Sequence, residues 1–203
     1  MHFSTIFAAT ALIGAAVAEN HFIAVSNKTG ALAFFPDSLQ AANGDTVTFR
    51  FWPKNHSVAQ SSFAQPCAPM QNGFWTGFVP TQSADVVSNT SFTMEVTNAS
   101  APIWFYCSQG KHCQGGMVGV INPPRTGERT LAAYKNASTS AKDNLSPSTV
   151  AGTGGKINEN GTATSGSPSA SGSNPSQATG AASHLAGSAA FAGLTSFFAY
   201  LLI

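Results

Sequence analysis

Apolar and polar residues alternate most regularly over Thr46-Val47-Thr48-Phe49-Arg50-Phe51, which places Val47, Phe49 and Phe51 on one face. A period of two marks a half-buried strand. Six other runs have strand character: His21–Ser26, Ala31–Phe35, Ser57–Gln60, Ser91–Val96, Ile103–Cys107 and Met117–Ile121. Turn-forming clusters separate them, among them Asn27-Lys28-Thr29-Gly30, Asn43-Gly44-Asp45, Trp52-Pro53-Lys54-Asn55 and Asn98-Ala99-Ser100-Ala101-Pro102. Many short strands within about a hundred residues predict an all-β antiparallel sandwich or barrel. No period holds between Ser61 and Asn89, where Phe63, Phe74, Trp75 and Phe78 read as packing for one long loop.

Both ends of the 203-residue chain have a different pattern. Ile6 to Val17 is mostly apolar and leads into Ala16-Val17-Ala18, so residues 1–18 read as a secretory signal peptide. Ala189 to Ile203 is an apolar tail with no basic flank behind it. Small residues at Gly180-Ala181-Ala182 precede a spacer of about eight residues, the arrangement of a GPI-attachment signal over 181–203. Gly180 is the candidate attachment residue, with Gly172 or Ser173 as alternatives and a single membrane anchor as the competing reading.

Composition divides what lies between. All the tryptophans and cysteines fall within 19–124, the expected folded head, and a short helix is expected within 125–137. From 138 to 180 there is no Phe, Trp or Tyr, and Ser, Thr, Gly, Ala, Asn and Pro dominate. Such a segment has too little apolar surface to build a core, so it reads as a disordered, glycosylated stalk. As bare coil it would span roughly 35 Å.

Seven sequons suit a secreted glycoprotein: Asn27, Asn55, Asn89, Asn98, Asn136, Asn144 and Asn160. Asn55 precedes His56, and a glycan there would crowd a metal site, so it is expected to stay unmodified. The formal net charge is only +1, which leaves no basic stripe for nucleic acid.

Candidate chemistry concentrates in Tyr106-Cys107-Ser108-Gln109-Gly110-Lys111-His112-Cys113-Gln114-Gly115-Gly116-Met117, where Cys107, His112 and Met117 recur every five residues. Neither a helix nor a strand turns such positions toward one point, so a loop must carry them, helped by its three glycines. A thiolate, an imidazole and a thioether suit copper and look like three of the four ligands of a blue copper site. The head offers His21 and His56 as further imidazoles, and His56 sits where a loop meets a strand at one end of the sandwich. Three cysteines leave one thiol unpaired whatever the connectivity. Competing readings are a zinc site of Cys67, Cys107, His112 and Cys113, disfavoured by the adjacent His112 and Cys113, and a plain core role for Met117. Cleavage after Ala18 would also make Glu19-Asn20-His21 a terminus able to chelate Cu(II), unless His21 simply begins the first strand.

His56-Ser57-Val58, Cys67, Phe105-Tyr106-Cys107, His112-Cys113 and Gly116-Met117 together resemble the phytocyanin branch of the cupredoxins. More closely, the chain resembles fungal GPI-anchored, serine-rich extracellular cupredoxins, over 19–124. The resemblance implies a Greek-key β-sandwich and one type 1 copper held by His56, Cys107, His112 and Met117. It also implies a Cys67–Cys113 disulfide and a Ser57 backbone N–H aimed at the thiolate. Electron transfer or copper handling outside the outer membrane leaflet follows, with a redox partner that the sequence does not identify. Cell-wall glycans are further candidate partners, and the alternative is a structural module of the wall in which copper is incidental. Too few histidines are present for a multicopper cluster, and no Gly-x-Ser-x-Gly elbow occurs, so an enzyme is not expected.

Overall fold

The computed structural model describes residues 17–81 and 85–159. Residues 1–16 of the expected signal peptide, Asn160, Gly180 and the apolar tail lie outside them. Strand β1 is Asn20–Val25, β2 Phe34–Phe35, β3 Ser38–Leu39, β4 Thr46–Phe51, β5 Lys54–His56 and β6 Ala59–Ser61. They are followed by β7 Val79–Thr81, β8 Ser91–Glu95, β9 Ile103–Tyr106, β10 Val118–Ile121, helix α1 Leu131–Thr139 and β11 Lys156–Asn158. One sheet runs β11-β8-β4-β1-β2 and the other β3-β10-β9-β6, with β5 and β7 forming a separate ribbon.

The sandwich is mixed rather than antiparallel throughout. β1 pairs with β4 in parallel, Asn20 opposite Thr46 and Val25 opposite Phe51, and β3 pairs in parallel with β10. Alternation in sequence reports which face is buried and is blind to the direction of a neighbour, so this feature had no local signal.

Val47, Phe49 and Phe51 share the inner face as their spacing predicts, and all three are fully buried. The Phe49 ring meets Phe105 from the opposite sheet edge-on, with centroids 5.5 Å apart. On β9 and its flanks the same two-residue period sorts side chains between two cores. Phe105 and Cys107 face the core between the sheets, whereas Trp104 and Tyr106 join a second cluster with Tyr134, Val118 and Val120. Helix α1 supplies the lid of that second cluster. Thr130 caps the helix by accepting the Ala133 N–H at 3.1 Å, and buried Tyr134 hydrogen-bonds Ser61 Oγ. Cys107 therefore follows the last residue of β9 with its side chain already turned inward.

Past the helix, the chain departs from the stalk expected to begin at 138. Leu145 donates its N–H to Cys67 O at 2.9 Å, Gly152 donates to Trp75 O at 2.8 Å, and Trp75 donates to Thr153 O at 2.9 Å. β11 then adds to the edge of β8 in antiparallel register, Ile157 opposite Phe92. Backbone hydrogen bonds hold this strap, and they need no aromatic residues of its own. A residue read as coil-forming is required for close approach: a Cβ on Gly155 would lie 2.3 Å from Phe92 Cζ and 2.6 Å from Thr93 O.

Candidate metal centre

The strand expected at Ser57–Gln60 is interrupted. His56 closes β5, paired opposite Val79, and β6 resumes only at Ala59. Ser57 and Val58 thus lie outside both ladders. Val58 donates to Thr76 Oγ1 at 2.8 Å, while Ser57 donates its N–H to Cys107 Sγ at 3.4 Å. This break frees one backbone donor for the sulfur.

From the other side, the loop after β9 is folded by successive turns. His112 donates its N–H to Gln109 O at 2.9 Å, Gly115 to Lys111 O at 2.9 Å and Gly116 to Cys113 O at 2.9 Å. Gly110 and Gly116 sit at positive φ, 48° and 90°, where a side chain would be strained. The loop closes where Met117 donates to His112 O at 3.0 Å and Cys107 donates to Met117 O at 3.1 Å. Thus the backbone of Met117 bonds to both Cys107 and His112, and its side chain is fully buried.

Three donor atoms converge. Nδ1 of His112 lies 3.4 Å from Cys107 Sγ, Nδ1 of His56 lies 3.9 Å from it, and the three atoms all fall within 4.8 Å of one another. The histidine rings are 5.0 Å apart. His56 Nε2 is 3.1 Å from Pro53 O, which can only accept, so Nε2 carries the hydrogen and Nδ1 presents a lone pair toward the sulfur. His56 and Cys107 are fully buried and His112 is half-buried. Both imidazoles and the thiol lean toward their neutral forms. Burial, then the His112 charge and Lys54, push His56 down to about 4, against the Pro53 carbonyl, which raises it. Burial and then Lys54 lower His112. Burial raises the Cys107 thiol, partly offset by the N–H groups of Gln109 and Ser57 and by the Ser57 hydroxyl.

Neutral imidazoles and a buried sulfur that already receives an N–H suit a metal that takes nitrogen and thiolate together. His56, Cys107 and His112 fit a copper ion. Cys67 and Cys113 are joined by a disulfide, which removes both from the zinc reading and leaves Cys107 as the free thiol. His21 lies in β1, with Nε2 2.9 Å from Asp45 Oδ2, apart from the convergent set. Asp45 also accepts the Glu19 N–H, and these contacts hold its carboxyl down to about 2.

The contacts of several neighbours carried no sequence signal. Ser108 donates its N–H to Ser57 Oγ at 3.0 Å, and Asn55 Nδ2 donates to Gln109 Oε1 at 2.9 Å. Ser146 donates to Ser108 Oγ at 3.0 Å, and Asn144 Nδ2 reaches both Cys107 O and Gly110 O. Among the other sequons, Asn89, Asn98 and Asn136 are exposed and Asn27 is half-buried.

No family model matches the chain. The "Probable GPI-anchored cupredoxin-1" of Arthroderma benhamiae is 35% identical over 187 residues, 92% of this chain and 91% of that protein. An "Extracellular serine-rich protein" of the same fungus is 36% identical over 149 residues, 73% of this chain and 56% of that protein. Among solved structures, the oxidized plastocyanin of Dryopteris crassirhizoma is 20% identical, with a TM-score of 0.34 over 49% of this chain and 96% of that one. A purple cupredoxin of Nitrosopumilus maritimus is also 20% identical, with a TM-score of 0.37 over 50% of this chain and 96% of that one. At 35% identity along nearly its whole length, the chain belongs to the cupredoxins, in their GPI-anchored extracellular fungal branch.

Proposed function

We propose that the head holds one type 1 copper and passes single electrons outside the cell, tethered to the outer leaflet through a GPI anchor. The observation that carries this reading is the buried convergence of Cys107 Sγ with Nδ1 of His56 and of His112 within 4.8 Å, with the Ser57 N–H on the sulfur. His56, Cys107, His112 and Met117 would hold the ion. Copper bound by such a set supplies a one-electron couple that suits both oxidation states. The protein's share is to keep the three donors close and screened from water, so little rearranges as charge changes. Ser57 steadies the sulfur through its N–H. His112 is the least buried of the three donors, which makes its ring the exit toward a redox partner, bordered by Gln109, Gly110 and Lys111. The head by itself does not oxidise a substrate, since its histidines are too few for a multicopper cluster.

Metal analysis, visible absorption and EPR on the secreted protein test this reading. One copper per chain with an intense blue thiolate band, absent in Cys107→Ser, is the expected result. A colourless protein with no tight copper would overturn it and favour a structural role in the wall.

A further inference from the structure

The strap that follows α1 crosses the back of the metal loop, and Asn144 makes the contact. Its Nδ2 donates to Cys107 O at 3.1 Å and to Gly110 O at 2.9 Å. Both hydrogens of one amide are thereby used to tie the ligand residue Cys107 to the positive-φ turn three residues later. The neighbouring contacts fix where the amide lies. Leu145 N–H donates to Cys67 O at 2.9 Å, Leu145 O accepts from Tyr106 Oη at 2.5 Å, and Ser146 donates to Ser108 Oγ at 3.0 Å. Cys67 is cross-linked to Cys113, so the strap is fastened to both ends of the His112 loop.

We propose that Asn144 is a positioning residue of the copper centre, which sets the path of the 107–112 loop and hence the approach of His112 to the sulfur. It follows that Asn144, although it begins an Asn-Leu-Ser sequon, is unglycosylated in copper-competent chains. A glycan would be bonded to the same Nδ2, taking one of its two hydrogens and placing a sugar against the loop. The strap belongs to the metal centre.

The inference rests on the copper reading above, so the test has one arm with copper and one without. In copper-free full-length protein, Asn144→Ala speeds amide exchange across Cys107–His112, whereas exchange in β4 is unchanged. In the loaded protein, the same variant weakens copper binding on the order of tenfold and alters the Cu(II) hyperfine splitting, as expected for loss of a group that orients ligands. Wild-type protein made in a host without N-glycosylation keeps both the Asn144 amide and the Ser146 hydroxyl, and its copper affinity stays within about twofold of that of the secreted protein. Glycopeptide mapping finds Asn144 bare. A glycan on Asn144 in chains that bind copper would overturn the proposal. So would wild-type exchange in Asn144→Ala, or a defect as large as that of Asn144→Ala in wild-type protein made without N-glycosylation. If the wild-type protein binds no copper, the copper reading fails and the exchange arm alone decides the clasp.

Discussion

Ser57 donates its backbone N–H to the sulfur of Cys107 at 3.4 Å, across fifty residues of sequence. The contact depends on the ladder being broken between β5 and β6, and the Ser57 hydroxyl stabilises that break. Its oxygen accepts the Ser108 N–H and lies 3.0 Å from the Ser108 hydroxyl, all of it buried. Ser57→Ala keeps the donor to sulfur but strands the Ser108 N–H. Urea unfolding of the copper-free protein is expected to show a loss of about 1–3 kcal/mol, with the blue band retained.

Acid should weaken the copper-free head by protonating a histidine that the folded chain keeps neutral. Burial is the first reason that the His56 pKa lies near 4 in the folded state. Between about pH 6.5 and pH 4 the unfolded chain binds a proton that the folded chain refuses, so stability falls as pH falls through that window. The full shift corresponds to about 3 kcal/mol. His112, lowered in the same direction, adds to the slope. Chemical denaturation at a series of pH values should show this loss, and His56→Gln should flatten the curve. A wild-type profile level from pH 7 to pH 4 would contradict the assignment. Below pH 4, loss of the Asp45 contacts adds a second decline, because that carboxyl is held down to about 2.

The Cys67–Cys113 disulfide closes a separation of 46 residues that spans β7, β8 and β9. Loop-closure entropy for such a span makes the cross-link worth about 3–4 kcal/mol. Replacing both cysteines by alanine should lower the urea midpoint accordingly and leave Cys107 as the single thiol. Thiol titration after unfolding then gives one equivalent for both proteins before reduction. After reduction the native protein gives three and the variant still gives one.

The inner face of β4 and the ligand run were legible because each repeats at a fixed interval: Val47, Phe49 and Phe51 by twos, Cys107, His112 and Met117 by fives. His56 was legible because the head has few imidazoles to choose from. Ser108 and Asn144 were not, since a serine or asparagine that bonds to a distant carbonyl or hydroxyl looks like any turn residue. The parallel β1–β4 pair was hidden for a related reason: strand direction is set by the path of the connection, which leaves the strand's own period unchanged. Within the stalk expected over 138–180, the strap of 140–158 reads as coil because composition measures the ability to form a core. A strap that borrows its partners from the head passes that test as coil.

The strap gives the sharpest contrast between the two readings of the chain. Ending the secreted protein after Ser138 removes the partners of Trp75 N and O, the Leu145 contact to Cys67 and the whole of β11. Each lost buried hydrogen bond costs about 1 kcal/mol, so the summed loss is several kcal/mol, enough to lower Tm by more than 10 °C. β8 would also become an open edge, and an open edge promotes association between chains. Ending the protein after Glu159 keeps every one of these contacts and should leave Tm close to that of the full-length protein. Thermal unfolding and size-exclusion chromatography of the two truncations separate the cases. If 138–159 were only a tether, the two proteins would melt together and both would stay monomeric.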